Sequence, residues 1–164
     1  MSATYKVVVV GMGKRGVHHA MAFHANPRFQ VTGICDIDQG RLDAAAAKLG
    51  DVVTSKNAAE LAATKPDISC FCTMPTLRKD LIRTGIESGA KLIAMEKPIA
   101  MSSVEGFEIK KMLDASRVKA VVSHQHRYGD HYQKVKEVIA SGAIGRIHTV
   151  YGTATGWMMH CSLT

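Results

Sequence analysis

Short apolar runs rich in β-branched residues alternate with stretches of helical periodicity along most of this chain. Tyr5 to Val10, Phe29 to Cys35, Ile68 to Thr73, Lys91 to Ala94 and Lys119 to Ser123 read as strands, with Val52-Val53 as a further short candidate. The intervening segments, Lys14 to Ala25, Gln39 to Leu49, Asn57 to Thr64, Leu77 to Ser88 and Val104 to Ala115, read as helices. Ser102 or Ser103 suits the N-cap of the last helix, and Gly89 the stop after the one before it. Strictly alternating strands and helices require right-handed crossovers. The expected fold is therefore α/β: a doubly wound parallel sheet covered on both faces, with ligands at the carboxyl ends of the strands where the strand order reverses.

After Ser123 the pattern changes. Gly129 to Ser141 reads as one more helix, 142–145 as a turn, and Arg146 to Thr155 as an extended strand whose alternate residues Ile147, Thr149, Tyr151 and Thr153 share a face. That strand has no later partner in the sequence, which suggests the opening of a second α+β domain whose remainder is absent. The expected division is 1–123 for the first domain and 124–164 for a connecting helix and the start of the second. An unpaired edge recruits partners, so the terminal strand should pair with another chain, making a homo-oligomer possible, or pack irregularly on the first domain.

The turn after the first strand carries the chemistry. Gly11-Met12-Gly13-Lys14-Arg15-Gly16 follows the Tyr5 to Val10 run directly and opens a helix. The first glycine permits the tight turn, the second admits a pyrophosphate close to the backbone, and the third lets helix and strand pack closely. Amides at the new helix N-terminus then face the phosphates. Asp36 stands twenty residues beyond Gly16, at the end of the second strand, where a ribose needs a carboxylate. These features identify a Rossmann-type dinucleotide-binding unit, with an ordinary strand-turn-helix as the bland alternative. Asp36 would repel a 2′-phosphate, so NAD is favoured over NADP; Arg41, early in the next helix, keeps NADP open if it swings toward such a phosphate. Met12 is expected to cover the cofactor with apolar surface.

Composition narrows the partners. A chain of 164 residues is about one domain with a real core. The net charge of +7 is spread over predicted helices with no run longer than pairs such as Arg78-Lys79, and aromatics are scarce, so no nucleic-acid stripe is apparent. The basic excess fits a general attraction to anionic ligands or simply solvated faces. The four cysteines, at 35, 70, 72 and 161, lack metal spacing; Cys70 and Cys72 fall on one face of a buried strand and read as small core residues. No signal-peptide pattern and no apolar run near 18 residues is present, so a soluble, cytoplasmic protein with free thiols and no membrane partner is expected.

Met95-Glu96-Lys97-Pro98 closes the fifth strand and sets Lys97 at the sheet edge where a nicotinamide would lie. Taken with the glycine turn, His19 three residues beyond Gly16, Cys35-Asp36-Ile37-Asp38, Met74-Pro75 after the fourth strand and Gly89-Ala90-Lys91 before the fifth, the chain resembles the glucose-fructose oxidoreductase and inositol dehydrogenase family, Gfo/Idh/MocA. Arg127-Tyr128 and the later Ile139-Ala140-Ser141-Gly142-Ala143-Ile144-Gly145 look like that family's passage into its second domain. The resemblance implies a nicotinamide-dependent dehydrogenase of a sugar, inositol or related polyol hydroxyl. Lys97 would then touch the substrate hydroxyl and help move its proton, Glu96 would orient or balance the neighbouring groups, and the Lys97-Pro98 peptide would be cis. The chemistry agrees, since a partly desolvated lysine beside a cationic ring gives up a proton more readily. Expected cofactor contacts are Gly11, Met12, Gly13, Lys14, Arg15, Gly16, Asp36, Arg41, Thr73, Met74, Pro75, Glu96 and Lys97. His124, Gln125 and Arg127 are the candidate substrate contacts.

The family's Asp-x-Gly-x-His spacing does not occur before Thr164; His160 lies in the right neighbourhood without the surrounding pattern. The chain therefore reads as the cofactor half of an oxidoreductase. His124-x-His126 with His131 lacks an acidic or thiol partner to complete a metal set, and no metal is expected. Alternatives are a non-catalytic dinucleotide sensor, a glycosidase of the same family that uses NAD transiently, and a methyl transferase using the same turn for S-adenosylmethionine, against which the Glu96-Lys97-Pro98 motif speaks.

Overall fold

The computed structural model describes residues 4–153, in two units, one ending at His124 and one beginning at Gln125. The first unit runs β1 (Tyr5–Val10), α1 (Lys14–His24), β2 (Phe29–Cys35), α2 (Gln39–Leu49), β3 (Val53–Ser55), a 3-10 helix (Ala58–Thr64), β4 (Ile68–Phe71), a 3-10 turn (Pro75–Leu77), α3 (Arg78–Glu87), β5 (Leu92–Glu96), α4 (Ser103–Ala115) and β6 (Lys119–Ser123). All pairings are parallel, in the order β3-β2-β1-β4-β5-β6. This is the Rossmann-type doubly wound sheet. The chain leaves β1 toward β2 and β3, then returns to β1's other side with β4, so the order reverses between β1 and β4, and the Gly11 turn sits at that reversal.

Side-chain alternation along the strands builds two cores. Val7, Val9, Ile34, Ile68 and Cys70 face α1 and α2, where Ala20, Leu42, Ala45 and Leu49 meet them. Val8, Val10, Phe71, Ile93 and Met95 face the other way, onto Leu61, Ile82 of α3 and Ile109 of α4. Each fully buried aliphatic side chain contributes about 1.5–3 kcal/mol relative to exposure. Because both faces of the central strands are covered, β1, β4 and β5 read as continuous apolar runs rather than alternating ones, whereas the edge strands β3 and β6 are largely exposed.

The differences from the expected elements have local causes. β4 stops at Phe71 rather than Thr73: the Cys72 amide makes the last ladder bond, to the Val10 carbonyl (2.8 Å), as β1 gives way to the Gly11 turn. The segment after Asn57 is a 3-10 helix, capped by the Asn57 side chain and ended by Lys65 in the left-handed region (φ 48°) before Pro66. β3 lies at Val53–Ser55 instead of Val52-Val53, and β5 extends to Glu96. Ser102, not Ser103, caps α4, accepting from the Glu105 amide at 3.2 Å.

In the second unit a 3-10 turn, Gln125–Tyr128, leads into α5, Asp130–Ala140, no residue of which is buried. The rings of His131 and Tyr132 lie 4.3 Å apart, tilted by 44°, and the Gln133 side chain donates to the Arg127 carbonyl. The expected strand from Arg146 to Thr155 is not formed over its described part, 146–153, which carries no ladder hydrogen bonds. A strand is a paired object, and alternation alone does not supply the neighbour that satisfies its backbone. Residues 154 and 155, like Cys161 and His160, lie outside the described residues.

Candidate functional site

The glycine turn is built by close backbone approach. Gly11 has φ +91°, its amide donates to the Cys35 carbonyl at 2.7 Å, and a Cβ there would lie 2.9 Å from the Cys72 carbonyl oxygen. At Gly16 the restriction is tighter still, since a Cβ would meet the Gly11 carbonyl oxygen at 1.6 Å. Gly13 differs: it is the N-cap of α1, has no side-chain cap, and a Cβ would meet nothing within 4 Å. The first-turn amides of α1 thus open onto free space with the positive end of the helix dipole, and no acidic side chain occupies that turn. Lys14 and Arg15 there are exposed. That is the cradle an anionic diphosphate fits.

Asp36 directly follows β2 beside this turn and is only 7% exposed. Its Oδ2 accepts the Met12 amide at 2.6 Å and its Oδ1 the Asp38 amide at 2.9 Å, so the carboxylate bridges the glycine turn and the entry to α2. Asp38 in turn caps α2 through the Arg41 amide (3.1 Å). The Arg41 guanidinium, largely exposed, stands 3.9 Å from Asp36 and 4.0 Å from Asp38. Burial, reinforced by the Asp36 and Glu60 charges, pushes the Cys35 thiol up to about 11, which leaves it protonated and unreactive at neutral pH. The Met12 side chain does not cover this surface: it is buried at 2% exposure in the α1/α2 core, and only its amide serves the turn. The left-handed turn at Gly11 breaks the alternation of β1 and puts Met12 on the face of Val7 and Val9, in the core shared with α1 and α2.

A cleft of about 620 Å³ follows the carboxyl edge of the sheet, bordered by Gly11, Gly13, Asp36, Arg41, Thr73 and Met74. Its far wall rests on Arg78, which the structure buries completely. One terminal nitrogen donates to the Phe71 carbonyl at 2.9 Å and the other to the Thr73 carbonyl at 3.2 Å, which fixes the loop into Pro75. Burial lowers its proton affinity, against the opposing charges of Cys72, Glu96 and Cys70. Its signal lay in spacing: Arg78, Ile82 and Gly85 are the buried residues of α3, at i, i+4 and i+7.

At the other end stands Glu96, 8% exposed at the last position of β5. Ile93 and Met95 face α3 and α4, so Ala94 and Glu96 face α1, and there Glu96 Oε1 meets His19 Nε2 at 2.8 Å. Burial pushes the Glu96 carboxyl up, but the His19 hydrogen bond and charge, the Arg15 charge and a Ser123 hydrogen bond outweigh it and hold it below its ordinary value. The sequence singled out His19 only as part of a motif; its partner is 77 residues away. The Lys97-Pro98 peptide is cis as expected, and Lys97 is exposed with no ion pair among the described residues. His124 follows β6, exposed, its amide on the Val122 carbonyl (2.9 Å). Gln125 and Arg127 are exposed members of the second unit's 3-10 turn. Among the described residues, no three His, Cys, Asp or Glu side chains group as metal ligands, and no helix is long and apolar enough to cross a membrane.

Comparison with known proteins agrees with this geometry. Residues 5–124 match the GFO_IDH_MocA family, described as an oxidoreductase family with an NAD-binding Rossmann fold. The chain is 28% identical over 147 residues to the inositol 2-dehydrogenase of Rhizobium meliloti (strain 1021), covering 90% of this chain and 44% of that protein. Among solved structures it superimposes on scyllo-inositol dehydrogenase from Lactobacillus casei with bound NAD(H) and scyllo-inositol (TM-score 0.81, 19% identity, 87% of this chain, 42% of that one). It also superimposes on an Agrobacterium radiobacter oxidoreductase in complex with NAD+, L-tartaric acid and magnesium (TM-score 0.82, 23% identity, 88% and 42%). The chain spans less than half the length of these relatives. With the family matched across the whole sheet from β1 to β6, this chain belongs to the Gfo/Idh/MocA family of NAD-binding oxidoreductases.

Proposed function

We propose that the chain binds NAD in preference to NADP along the carboxyl edge of its sheet, and that it is the cofactor-binding part of a dehydrogenase acting on a polyol or sugar hydroxyl. The observation that carries this reading is the Asp36 carboxylate, anchored by two backbone amides at the rim of a cleft that begins at an uncapped helix N-terminus. Each carboxylate oxygen retains acceptor capacity beyond its amide, enough for the ribose hydroxyls of an adenosine. A 2′-phosphate there would meet a fixed negative charge, only partly countered by the exposed Arg41 guanidinium. The α1 amides take the diphosphate, and Thr73 and Met74, held by Arg78, wall the cleft toward β4.

When bound, the nicotinamide supplies the hydride acceptor. Lys97 is the group of this chain that would move the proton: its amine, without an acidic partner among the described residues, takes the hydroxyl proton as the carbon is oxidised and returns it to solvent. Inositol dehydrogenases among the relatives favour a cyclic polyol as the substrate class.

A calorimetric titration with NAD and NADP tests the cofactor assignment. NAD should bind about tenfold or more tightly than NADP, the equivalent of about 1.4 kcal/mol. Asp36→Ser should narrow or reverse the ratio. Equal affinities in the unsubstituted chain would overturn the role given to Asp36.

A further inference from the structure

We propose that His19 is a positioning residue that holds the Glu96 carboxylate on the α1 side of the sheet and thereby keeps it from pairing with Lys97. The inference rests on the reading of Lys97 as the proton-handling group and assigns the device that leaves it unpaired. Glu96 and Lys97 are consecutive, so their charges are obligatory neighbours in sequence. A carboxylate free to turn toward the adjacent ammonium would stabilise the protonated amine and oppose its use as a base.

The structure separates the two. Glu96 is the last residue of β5, on the face shared with Ala94, while Lys97 lies beyond the strand and is exposed. His19 sits one turn beyond Gly16 on α1 and meets Glu96 at 2.8 Å, with its own side chain 26% exposed and that of Glu96 9%. Every other group facing Glu96 reinforces the arrangement or leaves it unchanged. Arg15 on α1 and Arg78 on α3 are cationic, the Ser123 hydroxyl on β6 favours the charged carboxylate, and the Cys70 thiol on β4 is held protonated by its hydrogen bond to Cys72 and by burial. His19 is the one that contacts the carboxylate from the helix opened by the phosphate turn. It therefore ties the start of the cofactor cradle to the strand end that carries Lys97.

The test reads the amine directly. Acylation by an N-hydroxysuccinimide ester requires the unprotonated amine, so the rate at Lys97, followed by peptide mass spectrometry and normalised to surface Lys110, reports how readily Lys97 gives up its proton. His19→Phe should slow Lys97 labelling about threefold near pH 8, as expected for one unit charge released to within several ångströms in a largely aqueous setting. His19→Gln, whose amide still donates to Glu96, should keep most of the original rate. The deciding variant is His19→Phe with Glu96→Gln: removing the charge should restore the rate even though the contact stays broken, whereas a merely structural role predicts no recovery.

Melting temperatures confirm that each variant is folded. Unchanged labelling in His19→Phe, or no recovery in the double variant, would overturn the proposal. Protection of Lys97 by added NAD reports separately on the cofactor reading. Its absence, with the charge pattern intact, would overturn the cofactor reading and support the role of His19.

Discussion

Two buried carboxylates stand on the carboxyl edge of one sheet, Asp36 directly after β2 and Glu96 at the end of β5, with almost equal exposure. They are satisfied in opposite ways. Asp36 is held by main chain, the amides of Met12 and Asp38, and one of these lies two residues away. Glu96 is held by side chains from other elements, His19 above all. A carboxylate satisfied by backbone depends on where the chain turns, so its position follows from a glycine pattern. One satisfied by a distant side chain depends on which helix the sheet places over it. The first is therefore rigid and insensitive to most substitutions around it, while the second can be released by changing a single residue.

That contrast can be broken most forcefully on the Asp36 side. Gly16→Ala places a Cβ within 1.6 Å of the Gly11 carbonyl oxygen and must push the turn that carries the Met12 amide away from Asp36. The expected loss is about 3 kcal/mol of stability, read as a lowered midpoint in urea denaturation, together with loss of NAD binding. A Gly16→Ala variant as stable as the parent would mean that the turn is looser than its geometry indicates. Asp36→Ala should come next, at about 2 kcal/mol, because it strands the buried Met12 amide and the partly buried Asp38 amide.

The smallest effect is expected at Glu96, and it should carry a pH signature. A carboxyl held below its ordinary value of 4.5 contributes stability that is present above that value and is lost as pH falls through the lower, folded value. Glu96→Gln should therefore cost about 1 kcal/mol at neutral pH, and the gap to the parent should close on acidification. A gap independent of pH would show that the His19 contact carries no charge-dependent part.

Much of this was legible beforehand, and the reasons are local. The central strands were readable because burial on both faces makes them unbroken apolar runs, and the turn was readable because three glycines serve three separate steric demands. Asp36 followed from its distance to that turn. Met12 was misread because it was judged by residue type, as a cofactor-facing apolar group. The fold instead buries Met12, which the turn at Gly11 puts in the core with Val7 and Val9, and it also buries Arg78 on the inner face of α3. The segment 146–153 failed as a strand for the complementary reason, since its pattern describes one side of a pairing only.

By itself, then, the sequence determined the order of elements, the phosphate turn, the acid at the second strand end and the Glu96-Lys97-Pro98 motif, because each is set by interactions within a few residues or by steric rules that hold wherever the pattern occurs. Only the tertiary structure decided that Glu96 belongs to His19, that Arg78 braces the Phe71 and Thr73 carbonyls from inside, and that Met12 is core. Spacing along α3 marks Arg78 as inward-facing, but which carbonyls it meets, and that Glu96 meets His19 across 77 residues, follow from the packing of α1 and α3 against the sheet.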